Sequence, residues 1–143
     1  MVIQLAVSDE EITSTFRLMK QLRPHLAEET YLSKIRRLQS EQGYRLAVLF
    51  EDGQARAAAG YRFCDNLAWG KSMYVDDLIT DSESRSQGYA KRLFDWLEEE
   101  IEKRGCSMMH LDSGVHRHDA HRFYLNRKMK ISCHHFDKSY GSA

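Results

Sequence analysis

One stretch constrains this chain more than any other: Tyr74 to Ile101, which reads YVDDLIT, then DSESRSQGYA, then KRLFDWLEEEI. The first piece has the composition of a strand, and the second is a polar loop holding one glycine. The third is an amphipathic helix, with Ala90, Leu93, Phe94, Leu97 and Ile101 on one stripe and Lys91, Asp95, Glu98, Glu99 and Glu102 facing water. A strand that enters a helix through such a loop gathers the unpaired N–H groups of the helix's first turn at one point. With the positive end of the macrodipole, that point suits a phosphate or pyrophosphate. Gly88 lets the backbone approach closely. The loop is neither G-x-x-x-x-G-K-[ST] nor G-x-G-x-x-G, so the P-loop and the dinucleotide fingerprint are poor fits. By itself it can be read as an anion cradle or as an ordinary turn.

The rest of the chain supplies strands and helices around that unit. Val2–Val7 reads as a first strand, and Ser8-Asp9-Glu10-Glu11 is an S-x-x-E capping box that opens a helix. Ile12, Phe16 and Met19 recur at helical spacing until Pro24. A second helix over about 28–41 carries Tyr31, Ile35 and Leu38 and closes at Gly43, with Lys34, Arg36 and Arg37 as a solvated basic face. Asp52-Gly53 between Tyr44–Phe50 and Gln54–Phe63 predicts a hairpin. The small residues Ala55, Ala57, Ala58, Ala59 and Gly60 point to close packing under a helix. Asp65-Asn66 and Gly70 mark a turn before the strand that begins near Ser72, and Gly105 stops the long helix. Cys106–Asp112 reads as a strand, Arg117 or Asp119 to Asn126 as a short helix, and Lys130–Phe136 as a last strand. This alternation argues for an α/β sheet layered by helices.

The 143 residues suit one domain, 1–143, with enough apolar content for a core. Lys+Arg and Asp+Glu both number 21, which removes any global basic field for nucleic acid or an anionic membrane. No apolar run reaches the ~20 residues of a membrane span, and the first residues lack the basic and apolar regions of a secretion signal, so a cytoplasmic protein is expected. Cys64, Cys106 and Cys133 form no C-x-x-C pair and are expected as reduced thiols, the last two buried in strands. His116-x-His118-x-x-His121 and His134-His135 match no zinc pattern, so no metal is assigned to them.

Arg85-Ser86-Gln87-Gly88-Tyr89-Ala90 fits Arg/Gln-x-x-Gly-x-Gly/Ala, and His118-Asp119-Ala120-His121-Arg122-Phe123-Tyr124-Leu125 follows downstream. With both segments in order, the chain resembles the GNAT superfamily of acetyl-CoA-dependent N-acetyltransferases. The run HDAHRFYL is similar to aminoalkylphosphonate acetyltransferases, and Gly70–Asp77 is similar to polyamine acetyltransferases. The resemblance implies a GNAT fold: an α/β protein with a single mixed, mostly antiparallel central sheet and helices on both faces. It implies acetyl transfer from acetyl-CoA to a primary amine, with pantetheine along the main chain of Leu78, Ile79 and Thr80. The pyrophosphate would lie on the N–H groups of Arg85, Ser86, Gln87, Gly88, Tyr89 and Ala90.

Catalytic roles follow from the same resemblance. The glutamate base of many family members would fall on Tyr74, which is no carboxylate, so Asp76, two residues on and on the same face, is assigned as general base through water. Asp77 is expected on the opposite face, with Met73, Val75 and Ile79, as an amine-binding or structural carboxylate, and Tyr74 as a further acceptor contact. Tyr124 falls where the family places the tyrosine that protonates the departing thiolate; packing beside Phe123 is its other reading. Asn126-Arg127-Lys128-Met129 departs from the family's Arg-x-Gly-aromatic and leaves that helix without its glycine cap. The acceptor stays open among polyamines, aminoalkylphosphonates, amino acids and protein lysines, and homodimerisation is open too. The alternative from another class is a non-catalytic acyl-CoA-binding sensor or interaction module.

Overall fold

The computed structural model describes residues 1–85 and 87–141 and divides the chain into two compact units, Met1–Leu111 and Asp112–Ala143. In the first, chain order runs β1 (Val2–Leu5), α1 (Asp9–Thr13), α2 (Phe16–Leu22), α3 (Glu28–Gln42), β2 (Arg45–Glu51), β3 (Gln54–Asn66), β4 (Gly70–Thr80), a 3₁₀ turn (Ser82–Ser84), α4 (Tyr89–Arg104) and β5 (Met108–Leu111). The five strands lie in sequence order. β1 to β4 pair antiparallel, and β5 joins β4 in parallel because the α4 crossover returns the chain to the same end of the sheet. The mixed, mostly antiparallel sheet expected from the sequence is therefore present.

Both faces of the sheet are covered. β2 is apolar at successive positions: Leu46 and Val48 meet Ile12, Leu18, Met19, Tyr31 and Ile35 from α1–α3, while Ala47 and Leu49 lie with Leu93 and Leu97 of α4. A strand buried on both sides needs such an unbroken run. Ala57 and Ala59 keep β3 thin on the α4 side, as their small size predicts. Gly60 is the tightest position: a Cβ there would stand 1.7 Å from the Tyr44 hydroxyl oxygen, so only glycine lets that phenol lie across the strand.

Three expectations from the sequence are corrected. The helix after Ser8 begins with the capping box, Ser8 Oγ accepting from Glu11 N–H (3.1 Å), but it breaks into α1 and α2 at Ser14 and Thr15. Thr13, Ser14 and Thr15 each turn a hydroxyl back to the carbonyl three residues earlier, with Thr15 Oγ1 donating to Ile12 O at 2.6 Å. Such back-bonding competes with the helical ladder. The strand expected over Lys130–Phe136 is absent among the described residues, and Ile131 and Phe136 are 79% and 89% exposed. Ile131 and Cys133 would share one strand face while Phe136 takes the other, so no single face gains enough from burial. Cys133 is exposed, and Cys106 is half-buried just before β5, so neither lies buried in a strand.

The second unit contains α5 (His118–Asn126). Lys128, with φ 67°, supplies the left-handed turn after it that glycine usually provides. Met129 N–H closes that turn on Tyr124 O (3.1 Å).

Candidate active site

The middle of β4 carries a β-bulge. Tyr61 pairs with Val75 and Gly60 with Asp77, so Asp76 is an extra residue with no partner on β3. A bulge re-phases the side chains that follow it. Met73, Val75 and Leu78 belong to the α4-side core, but Ile79 packs on the α1–α3 side. Asp77 follows the new phase, its Oδ2 accepting from the Tyr44 hydroxyl at 2.8 Å. The expected separation of the two carboxylates is therefore corrected: Asp76 and Asp77 both face the α1–α3 side, away from Met73 and Val75.

Each carboxylate has a guanidinium partner. Arg62 donates from Nε to Asp76 Oδ2 (2.9 Å) and from Nη2 to Oδ1 (3.0 Å), a bidentate fork. Arg23, just past the end of α2, donates from Nε to Asp77 Oδ1 (3.1 Å) and from Nη2 to the Asp76 carbonyl (3.0 Å). Burial, reinforced by Asp77, pushes the Tyr44 phenol well above its ordinary pKa, so it remains a donor. Tyr74 stands opposite Arg62 in the ladder, with the guanidinium 5.2 Å from its ring centroid, and its ring meets His110 edge-on at 5.1 Å. The Trp69 ring lies 4.5 Å from that of His110, tilted by 36°.

The bulge also lies where the sheet opens. The parallel β4–β5 ladder ends at Val75 opposite Leu111, whereas the β3–β4 ladder runs on to Thr80. Leu78, Ile79 and Thr80 therefore have β3 on one side and no strand on the other among the described residues. Their main-chain groups on that side suit an extended amide-bearing ligand.

The loop beyond is anchored by a residue that the sequence reading passed over. Asp81 is fully buried; Arg17 donates to its Oδ2 (2.6 Å) and Oδ1 (3.1 Å), and Gln21 and Glu83 N–H each reach Oδ1 at 3.2 Å. The Arg17 hydrogen bonds hold the Asp81 carboxyl well below the usual range. Gln21 Oε1 also accepts from Ser82 N–H (3.0 Å), so one face of α2 grips the start of the loop. Gly88 caps α4 in the left-handed region (φ 77°, ψ 14°), and the first helical bond runs from Arg92 N–H to Gly88 O (3.1 Å). The N–H groups of Tyr89, Ala90 and Lys91 thus lie in the first turn, before that ladder begins. Tyr89 turns its side chain into the α4-side core and donates its hydroxyl to Glu51, so it can offer a ligand only its backbone. Arg85 and Gln87 are exposed, and Ser86 lies outside the described residues.

In the second unit Tyr124 is buried on α5, its ring 5.8 Å from that of Phe123. Burial raises the phenol above its ordinary pKa, and Arg117 opposes the rise. Its hydroxyl makes no hydrogen bond among the described residues. The histidines there make separate contacts: His121 Nε2 lies 2.8 Å from Gly114 O, and His135 Nδ1 lies 3.6 Å from Asp112.

Arg23, Arg62, Tyr44 and Asp81 were not singled out from sequence. A signal existed for two of them. Gly60 inside a strand announces the close approach that Tyr44 makes, and counting back from the β3–β4 turn sets Arg62 opposite Tyr74. The Arg17 and Arg23 contacts depend on how α2 crosses the sheet, which no local pattern encodes.

Comparison with known proteins agrees with this fold. The sequence model of the Acetyltransferase (GNAT) family matches residues 9–129. An uncharacterized N-acetyltransferase of Bacillus subtilis, YhdJ, is 34% identical over 120 residues, covering 84% of each chain. The aminoalkylphosphonate N-acetyltransferase of Salmonella typhimurium is 34% identical over 65 residues, 46% of this chain and 42% of that one. Among solved structures, the aminoglycoside N-acetyltransferase AAC(6')-Iy in complex with CoA superposes with a TM-score of 0.81. It covers 97% of this chain and 95% of its own at 14% identity, a likeness of fold. The chain belongs to the GNAT family and is an acetyl-CoA-dependent N-acyltransferase.

Proposed function

We propose that residues 1–143 act as one domain that acetylates the primary amine of a small molecule, with Asp76 as general base and Tyr124 as general acid. The observation that carries this reading is the bulge, which turns Asp76 and Asp77 to one face where β4 parts from β5. Acetyl-CoA would supply the activated acyl group, and CoA would leave as the free thiol. The main chain of Leu78, Ile79 and Thr80 would hold its pantetheine arm, and the backbone of Arg85, Ser86, Gln87, Gly88, Tyr89 and Ala90 its pyrophosphate. The open strand edge and the unpaired first turn of α4 fit such a ligand.

An amine is almost wholly protonated at neutral pH and must lose a proton before its lone pair can attack. Asp77 and the Tyr74 ring bind the ammonium, and Asp76 takes its proton through a water. As the nitrogen–carbon bond forms and the carbon–sulfur bond breaks, the Tyr124 hydroxyl gives its proton to the sulfur, and the second proton of the attacking nitrogen leaves through water and restores the phenol. A phenol raised by burial is still protonated at neutral pH and serves as that donor. The unpaired thiols agree with a cytoplasmic setting.

The test is thiol release from acetyl-CoA across an amine panel, with the unmodified enzyme and Tyr124→Phe side by side. Positioned proton transfer is worth ~10²- to 10⁴-fold, so kcat should fall within that range while CoA affinity and Tm stay the same. A destabilised protein, or intact turnover with the preferred amine, would make Tyr124 a packing residue. CoA binding without thiol release from any amine would favour a sensor.

A further inference from the structure

β3 carries a bulge of its own, beside the loop that enters α4. Phe50 pairs with Ala55 and Leu49 with Ala57, so Arg56 is an extra residue with no partner on β2. Its carbonyl accepts from Asp81 N–H (2.8 Å), one residue past the last β3–β4 pair, Ala57 with Thr80. Arg56 therefore lies at the base of the loop, where the chain leaves β4. The other end of the loop is close as well. The hydrogen bond to Glu51 raises the Tyr89 phenol above its ordinary pKa and the Arg56 charge opposes that rise, so the guanidinium is within electrostatic reach of the first residue of α4. The Arg56 side chain is half-buried and has no hydrogen bond or ion pair among the described residues. Its Nε is shut off from solvent with no acceptor, whereas the terminal nitrogens are not buried. The nearby carboxylates leave it unmet: Glu51 accepts the Tyr89 hydroxyl, and neither Glu51 nor Asp52 pairs with Arg56. Other cations around the loop are committed, Arg17 to Asp81 and Lys91 to Asp95.

We propose that Arg56 is a cofactor-binding residue, which meets a phosphate of CoA from the β3 side of the loop. The inference rests on the placement of the cofactor at residues 85–90 and adds to it a residue from a different strand. A buried guanidinium N–H without an acceptor costs free energy in the free protein, and an anion bound here removes that cost. The loop offers only backbone dipoles. Arg56 adds a full charge and a planar fork that matches two phosphate oxygens. CoA carries phosphate at two places, the pyrophosphate and the ribose 3′-phosphate, and both present this chemistry.

Calorimetry on the full-length protein with CoA and with dephospho-CoA, which lacks the 3′-phosphate, tests this. Arg56→Gln should weaken CoA binding about tenfold, the scale of one charge-assisted contact, and Arg56→Lys should recover part of the loss. The advantage of the wild type should also shrink as salt rises, which a merely structural role would not produce. A loss shared by both ligands places Arg56 at the pyrophosphate, and a loss confined to CoA places it at the 3′-phosphate. Unchanged affinity for both ligands in a folded Arg56→Gln protein, or a loss that salt does not alter, overturns the inference. If Gly88→Val still weakens CoA in that event, the cofactor placement at the loop stands. If neither variant affects CoA, that placement falls too. Should Arg56→Gln not fold, phenylglyoxal modification of Arg56 in the wild type decides by mass spectrometry. CoA should slow it, and an equal rate with and without CoA overturns the inference.

Discussion

The open strand edge and the acidic face lie on the same strand, yet they are built differently. Along Leu78–Thr80 and at the start of α4 the groups on offer are backbone amides and carbonyls, positioned by an open strand edge and a left-handed Gly88. The face at Asp76 and Asp77 is made of side chains from four places: the end of α2, the start of β2, β3 and β4. Backbone sites tolerate many side chains and recur across sequences of low identity. Side-chain sites change with single substitutions. Asp81 joins the two, because α2 holds it through Arg17 and Gln21 and the acidic face through Arg23.

The sharpest way to break this contrast is Asp76→Asn. If the acidic face does the chemistry, kcat should fall by ~10²- to 10⁴-fold and recover as rising pH deprotonates the amine without help, while calorimetric CoA affinity is unchanged. A rate-versus-pH profile that overlays the wild type would move the base elsewhere.

A smaller effect is expected at the joint. Asp81→Asn should lower stability by about 1–2 kcal/mol, the solvent-exposed half of Arg17 reducing the figure for a buried charged pair. The sign of its pH dependence is set by the depressed carboxyl. Its contribution is complete above the unfolded value of ~4 and is lost as pH falls through the folded one. Wild type and variant should therefore differ most in Tm at neutral pH and converge in acid. A gap that is constant from neutral to strongly acidic pH would count against the ion pair as its source.

An effect of the same size is expected at the backbone site. A Cβ at Gly88 meets nothing within 4 Å, so the cost of Gly88→Val comes from the left-handed conformation, about 1–2 kcal/mol or roughly tenfold in CoA affinity. The KM for the amine should hold. Unchanged CoA binding in a folded variant would remove the loop from the cofactor site.

Much of the fold could be read in advance because its signals are local. The capping box at Ser8, the hairpin at Asp52-Gly53, the glycine stops at Gly43 and Gly105 and the strand–loop–helix at Tyr74–Ile101 each depend on a few neighbouring residues. The break at Thr15 was also written locally, in three successive hydroxyl residues, but its helical spacing hid it. The strand at Lys130–Phe136 failed for the opposite reason, since strand-like composition without one consistent apolar face cannot hold a strand.

By itself the sequence determined the hairpin, the glycine stops, the apolar stripes and the strand–loop–helix at Tyr74–Ile101, because these follow from local sterics and from the period of side chains along a helix or strand. Only the tertiary structure decided that Asp76 and Asp77 share a face, since a bulge arises from the mismatch between two paired strands and is a property of neither alone. It decided too that each carboxylate meets an arginine. Arg23 lies 54 residues from Asp77 in the chain, and a contact at that distance is set by how α2 packs across the sheet.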